Sequence, residues 1–313
     1  MPLDPHVKGI LDAMAVAGRP KVWQLTPPEA RLGIVELAAA ADAKDVAIGR
    51  VANREIPGEG GGIPIRVYTP VAPGADRLPG LVYFHGGGFV IGNLDTHEGL
   101  CRILANETGC RVVSVDYRLA PEHRFPAALD DAFAATRWIA EHAPELGIDP
   151  NCIAVAGDSA GGNLAAAVCQ QAKADGGPLL ALQVLFCPVL DQPGETESRR
   201  LFAEGHLLEK ASLEWFYAHY CPAGSDLTDP RLSPLRAGEL AGLPPAHIHT
   251  AAFDPLRDEG KAYADRLVRA GVKVRYTCHD GMVHHFYCMA GAIPAARAAL
   301  KEAGAAIKAA LDG

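Results

Sequence analysis

The stretch that decides the fold runs from Cys152 to Asn163 and reads CIAVAGDSAGGN. An apolar, β-branched run ends in Gly157-Asp158-Ser159-Ala160-Gly161 and passes straight into an Ala-rich helical stretch. G-x-S-x-G between a strand and a helix has the form of a nucleophile elbow. The turn is sharp enough to need neighbours without bulk two positions to either side of its central residue, and glycine stands at both. Ser159 then sits at a helix N-terminus, where the dipole and free backbone N–H groups favour developing negative charge. A phosphate-binding loop is the competing reading. It is disfavoured because neither a GK[ST] ending nor G-x-G-x-x-G is present.

Working outward, His85-Gly86-Gly87-Gly88-Phe89 directly follows the apolar run Leu81-Val82-Tyr83-Phe84. Three consecutive glycines leave backbone N–H groups uncovered and able to converge on one small anion. By itself this could be a flexible turn. Beside the elbow it reads as an oxyanion hole, with Gly87 and Gly88 donating from the loop and Ala160 from the helix start. Further apolar runs at 111–115, 152–156, 182–186, 247–251 and 272–277 alternate with helical stretches at about 130–142, 161–174, 258–270 and 291–311. That rhythm predicts a parallel sheet covered by helices. Residues 46–55 and 63–68 flank GEGGG and predict an antiparallel hairpin leading into the sheet.

Composition narrows the function. Of 313 residues 49% are hydrophobic, and 29 Lys plus Arg against 37 Asp plus Glu give a net charge of −8. An acidic chain without a basic cluster is not expected to bind nucleic acid. The longest apolar run, Leu179 to Leu190, is too short to span a bilayer. MPLDPHVKGILDAM has neither the basic region nor the apolar core of a signal peptide, so the expected setting is cytoplasmic. Eight widely spaced cysteines without CxxC are expected as buried free thiols. Neither HExxH nor a carboxylate cluster suggests a metal, and His97-Glu98 is too little, so no metal and no cofactor are expected.

HGGGF, the block DYRLAPEHRFPAA at 116–128, the GDSAGG elbow and DPLRDEG at 254–260 together resemble the hormone-sensitive-lipase-like family of bacterial carboxylesterases. The matching blocks run from about residue 65 to 290. The resemblance implies an α/β-hydrolase fold, with a mostly parallel sheet of about eight strands flanked by helices and a helical cap. It further implies no cofactor, and hydrolysis of carboxylic esters with short to medium acyl chains. Expected boundaries are 1–45 for the first part of the cap, 46–190 for the catalytic core, 191–230 for the second part of the cap, and 231–313 for the rest of the core. Members of the family often pair through the last strand and following helix, so a homodimer is an expectation at that level.

A serine hydroxyl needs a base, and the base needs an acceptor to orient its ring. On this fold the chain order is Ser, acid, His. His206 and His219 fall in the expected cap and His247 and His249 in a predicted strand, which leaves His279, His284 and His285 in what reads as a loop, CHDGMVHHF. Similarity to the family's loop puts the base on His284. The chain departs from that loop at the next position, where His285 replaces the usual glycine, and the two neighbours compete for the role. For the acid, Asp254 ends the run 246–253, while Asp258 and Glu259 are already explained by helix capping. His85 is expected to brace the glycine loop, Asp158 to be a variable elbow position, and Arg118, Glu122, His123 and Arg124 to form a polar cluster. Trp23, Leu207, Leu208, Trp215, Phe216 and Tyr217 are candidates to line an acyl pocket.

The expected activity is therefore that of a serine esterase on a small-molecule ester. Amidase, lactonase or carbamate hydrolase activity would use the same groups. A ligand receptor on the same scaffold is the rival from another class. Gibberellin receptors resemble the family but lack the histidine that stands here.

Overall fold

A computed structural model describes residues 2–312 of the chain. Eight strands form one sheet: β1 (Arg50–Gly58), β2 (Gly61–Thr69), β3 (Leu78–Phe84), β4 (Arg111–Val115), β5 (Ile148–Asp158), β6 (Leu182–Phe186), β7 (Ala246–Phe253) and β8 (Val274–Val283). Their order is β1-β2-β4-β3-β5-β6-β7-β8. The β1–β2 hairpin joins β4 antiparallel, and every pairing from β4 through β3 to β8 is parallel. The chain thus winds outward from β3 in both directions, which opens a crevice at the carboxyl ends of the central strands.

Alternation along β3 shows why both faces are covered. Val82 and Phe84 enter one core with Leu129 of α4 (Ala127–Glu141), Leu164 of α5 (Ala160–Asp175) and Tyr263 of α8 (Arg257–Arg269). Leu81 and Tyr83 enter the other with Leu100 of α3 (Glu98–Thr108) and Leu300 of α9 (Pro294–Leu311). Successive strand side chains point to opposite faces, so a strand buried on both sides reads as continuously apolar.

The remaining helices come from the segments that break this rhythm. They are α1 (Pro5–Ala17) and α2 (Pro27–Ala41) near the N-terminus, and α6 (Glu197–Leu201) and α7 (Lys210–Tyr220) between β6 and β7. The Pro-rich interruption is the start of α2, where Glu29 Oε2 accepts from the Thr26 N–H at 2.8 Å in a capping box. Among the described residues no helix is long and apolar enough to cross a membrane. All eight cysteines are free, and Cys152 and Cys278 are only half-buried.

Three expectations need correction. Helix α3 has no counterpart in the sequence reading. His97 provides no side-chain cap and Gly99 stands in its first turn, so burial of Leu100, Ile103 and Leu104 sustains it rather than local propensity. The hairpin strands run into the glycines as far as Gly58 and Gly61, leaving a two-residue turn. Residues 278–283, expected as loop, continue β8, with Ala251 opposite His279 and Phe253 opposite Val283 across a bulge. As the edge of the sheet, β8 tolerates the polar Cys-His-Asp-Gly run.

Candidate active site

Ser159 caps α5 at the end of β5 with φ 54° and ψ −116°, a strained conformation for a residue with a side chain. The surrounding chain fixes it. Its N–H donates to Phe186 O at 2.8 Å, and its carbonyl accepts from Asn163 and Val189 at 3.0 and 3.1 Å. A Cβ at Gly161 would run into the Phe84 carbonyl, and one at Gly157 into the Gly161 backbone, so the elbow closes only with glycine at both places.

Asp254 follows β7 and His284 follows β8, which brings them beside Ser159 at the ends of neighbouring strands. His284 Nε2 lies 2.9 Å from Ser159 Oγ, and His284 Nδ1 lies 2.7 Å from Asp254 Oδ2. Asp254 Oδ1 accepts from the Leu256 N–H at 2.8 Å. All three side chains are buried. Burial disfavours charge on His284, but the Asp254 carboxylate and its hydrogen bond outweigh it and hold the imidazole above its ordinary value. Nδ1 therefore carries the proton toward Asp254, and Nε2 presents a lone pair to the Ser159 hydroxyl.

His285 lies in the left-handed region, at φ 65°, and its Nδ1 is 3.9 Å from Asp158 Oδ2, with no hydrogen bond to Ser159. Asp258 and Glu259 do not reach His284. Helix capping explains them only in part, because both grip the segment after β6. Asp258 Oδ2 accepts from the Ser198 N–H at 2.8 Å. Glu259 accepts from the Leu190 N–H at 2.6 Å and from Arg199 Nη2 at 2.7 Å. Burial pushes the Glu259 carboxyl up to about 7 against the pull of Arg199. The other histidines have local partners: His206 the Glu204 carbonyl, His219 the Trp215 carbonyl, and His249 and His279 each other at 3.3 Å. His247 is buried in β7.

Gly87 and Gly88 have φ values of 115° and 60°. A Cβ on Gly88 would strike the Phe216 ring. Among the described residues, the N–H groups of Gly87, Gly88 and Ala160 donate to no protein acceptor. His85 supports this loop: its Nδ1 lies 2.7 Å from Gly86 O, and its ring stacks on Tyr117 at 4.3 Å.

Asp158 is more than a variable elbow position. Its Oδ1 accepts from Tyr83 OH at 2.7 Å and from the Gly86 N–H at 2.9 Å, so it ties the elbow to the glycine loop. A carboxylate one residue before the serine was the only available signal. The expected polar cluster does not form as such. Arg118 pairs with Asp131 and Glu122 with Arg31 of α2, while His123 and Arg124 join neither pair.

A cavity of about 150 Å³ opens over Ser159 between the glycine loop and the two segments outside the sheet rhythm. Ile34 and Leu37 border it from α2, and Leu208, Phe216 and Tyr217 from the segment after β6. Leu207 borders it too. Trp23 and Trp215 do not; Trp23 faces a surface depression beside Lys21, and Trp215 packs on Phe216 and His219.

Residues 81–288 match the model of a family described as having the alpha/beta hydrolase fold. Carboxylesterase NlhH of Mycobacterium tuberculosis is 42% identical over 99% of this chain and 96% of its own length. Carboxylic ester hydrolase LipN of the same organism is 48% identical over 75% of this chain, and the match spans 64% of that protein. The structure of ester hydrolase EH1AB1 from the metagenome of Lake Arreo, complexed with a derivative of bipyridine phosphonate, superposes with a TM-score of 0.97 at 44% identity, covering 99% of this chain and 100% of that one. The matches to NlhH and EH1AB1 each cover 99% of this chain, and the chain belongs to the α/β-hydrolase fold family, in its hormone-sensitive-lipase-like branch.

Proposed function

We propose that the chain is a serine carboxylesterase that hydrolyses short to medium acyl-chain carboxylic esters through an acyl-enzyme intermediate. One observation carries the reading: the buried hydrogen-bonded line from Ser159 Oγ through His284 to Asp254, beside three backbone N–H groups with no protein acceptor. In this mechanism His284 Nε2 takes the hydroxyl proton as Ser159 Oγ attacks the ester carbonyl. The displaced electron pair settles on the carbonyl oxygen, held by the N–H groups of Gly87, Gly88 and Ala160. Each such donor contributes about 2.7–4 kcal/mol to lowering the barrier. Collapse expels the alcohol, which receives the proton from His284, and water repeats the sequence on the acyl-enzyme. Asp254 holds the ring and stabilises its cation.

Segments 1–45 and 191–230 act as the cap in this reading, which the cavity lining from α2, Leu208 and Phe216 supports. An apolar cavity of about 150 Å³ holds roughly one benzene-sized group, so acyl chains of about six carbons fill it. The decisive experiment compares Ser159→Ala with the parent on p-nitrophenyl esters of graded acyl length and on matching anilides. Rates peaking at short to medium esters, lost in the variant with its fold retained, are expected. A variant within tenfold of the parent, or anilides cleaved faster than esters, would end the proposal.

A homodimer through β8 and α9 and a cytoplasmic setting also belong to this proposal. The edge position of β8 supports the first, and eight free thiols suit a reducing compartment. Light scattering and cell fractionation test them.

A further inference from the structure

Behind the elbow, four side chains that the esterase mechanism does not use converge from three distant parts of the chain. They are His97 before α3, Asp158 before the serine, His285 after the catalytic-base candidate His284, and Cys288 one turn later. One potential donor atom from each lies within 4.8 Å of all the others. In a tetrahedral site with metal–ligand bonds of about 2.0–2.3 Å, donor atoms stand roughly 3.3–3.8 Å apart. His97 Nε2 is 3.3 and 3.4 Å from the two Asp158 oxygens, and His285 Nδ1 is 3.9 Å from Oδ2, too far for a hydrogen bond.

The neighbours orient these donors as the second shell of a metal site would. Thr96 Oγ1 lies 2.9 Å from both the Asn93 carbonyl and His97 Nδ1; with its one proton on the carbonyl, the ring donates from Nδ1. In that tautomer the Nε2 lone pair lies beside the Asp158 carboxylate, where the Gly86 N–H reaches it only at a long 3.3 Å, and a cation there would bind both groups. Asp158 Oδ1 is already engaged by Tyr83 and Gly86, which leaves Oδ2. The Cys288 thiol is buried and has no hydrogen-bond partner among the described residues. A void of about 10 Å³, near the size of one water or ion, is bordered by Asp158, His285 and Cys288 together with Ser159 and His284. His97 and His285 also border the cavity over Ser159, which gives an ion a way in.

We propose that His97, Asp158, His285 and Cys288 form a four-coordinate site for a zinc-class transition-metal ion, and that its occupancy slows ester turnover by fixing His285, and the adjoining His284, against the elbow. A dication with one carboxylate, one thiolate and two neutral imidazoles has no net charge, the condition under which burial is tolerated. Binding releases the Cys288 thiol proton to solvent. The four positions have no motif spacing, so sequence inspection passes over them.

The test titrates the metal-free full-length protein with Co²⁺, whose visible bands report tetrahedral geometry and whose near-ultraviolet charge-transfer band reports a thiolate ligand. The expected result is one equivalent bound with both signals, displaced by Zn²⁺. In parallel, Zn²⁺ lowers kcat at least about tenfold, and a chelator restores it. Cys288→Ala and Cys288→Ser lose the charge-transfer band and bind at least about tenfold more weakly, and metal-free Cys288→Ala turns over within about twofold of the parent. His285→Gly, relaxed at a left-handed position, weakens binding likewise. Failure to take up one equivalent overturns the site. So does a charge-transfer band that survives in Cys288→Ala and vanishes in Cys187→Ala, which would move the ion to Cys187, Asp254 and His284. An unchanged kcat with the ion bound overturns the coupling. The cobalt spectrum needs no substrate, so it stands apart from the esterase assignment.

Discussion

Asp254→Asn changes one atom and should silence the enzyme without unfolding it. Asp254 Oδ1 accepts from the Leu256 N–H at 2.8 Å and Oδ2 faces His284 Nδ1 at 2.7 Å. An asparagine has one acceptor oxygen, and the Leu256 N–H claims it, so the amide NH₂ must point at the imidazole. Nδ1 then becomes an acceptor and the ring proton moves to Nε2, where it faces Ser159 Oγ at 2.9 Å. A protonated Nε2 cannot take the hydroxyl proton. The same substitution in the serine-protease triad lowers kcat about 10⁴-fold by this wrong-tautomer route, equal to about 5.5 kcal/mol at about 1.36 kcal/mol per decade. The assay is kcat on p-nitrophenyl butyrate from pH 6 to 10, with chemical denaturation run alongside. We expect a loss of three to four decades and a midpoint close to the parent's. The corresponding Asp258→Asn and Glu259→Gln should keep kcat within about tenfold, because their partners are Ser198, Leu190 and Arg199 rather than His284. An Asp254→Asn enzyme within tenfold of the parent at pH 7 would refute the tautomer argument.

Three further outcomes follow from the same geometry. Because Asp254 raises the pKa of His284 and the base must be neutral, kcat/KM in chelator-containing buffer should fall on acidification with an apparent pKa above the ordinary histidine value of about 6.5; a profile flat to pH 5 would contradict this. Arg199→Ala leaves buried Glu259 without its cation and should cost about 3–5 kcal/mol in denaturant unfolding at pH 8, with KM rising more than kcat falls; stability within 1 kcal/mol of the parent would count against it. Burial holds His279 down to about 4 and His249 well below its ordinary value, and unfolded histidines titrate near 6.5. The unfolded chain therefore binds more protons between those values, and stability should be lost as pH falls from 6.5 toward 4, by up to about 3 kcal/mol for His279; His279→Phe should flatten that loss in thermal unfolding.

What the sequence disclosed was local chemistry. The elbow and HGGGF are legible because each occupies a few consecutive residues whose glycines have no substitute: Gly161 abuts the Phe84 carbonyl and Gly88 the Phe216 ring. The strands β4 and β6 are legible because each is a short run that is mostly apolar, with Ser114 and Gln183 the buried polar exceptions. Partnerships across the chain are not legible. Nothing in the sequence near Asp158 announces Tyr83 and Gly86 as donors, and nothing near Glu259 announces Arg199, sixty residues away. Helix α3 is not legible because tertiary burial sustains it. The far half of β8 was missed because an edge strand with a bulge admits His279, Asp280 and Gly281. His284 and His285 are chemically alike in sequence, and only the left-handed turn at 285 separates their directions.

Ser159, Asp254 and His284 follow three strands whose spacing is set by hydrogen bonding, whereas the long excursion that leaves after Phe186 returns only at Ala246. The reacting groups therefore keep their separations whatever residues 191–236 contain, provided that stretch restores the grip on Asp258 and Glu259, while Val189 ahead of it keeps its hold on the Ser159 carbonyl. Chimeras exchanging 191–236 between relatives should trade selectivity while inheriting the same chemical step, which makes this stretch the natural target for redirecting the enzyme to new esters.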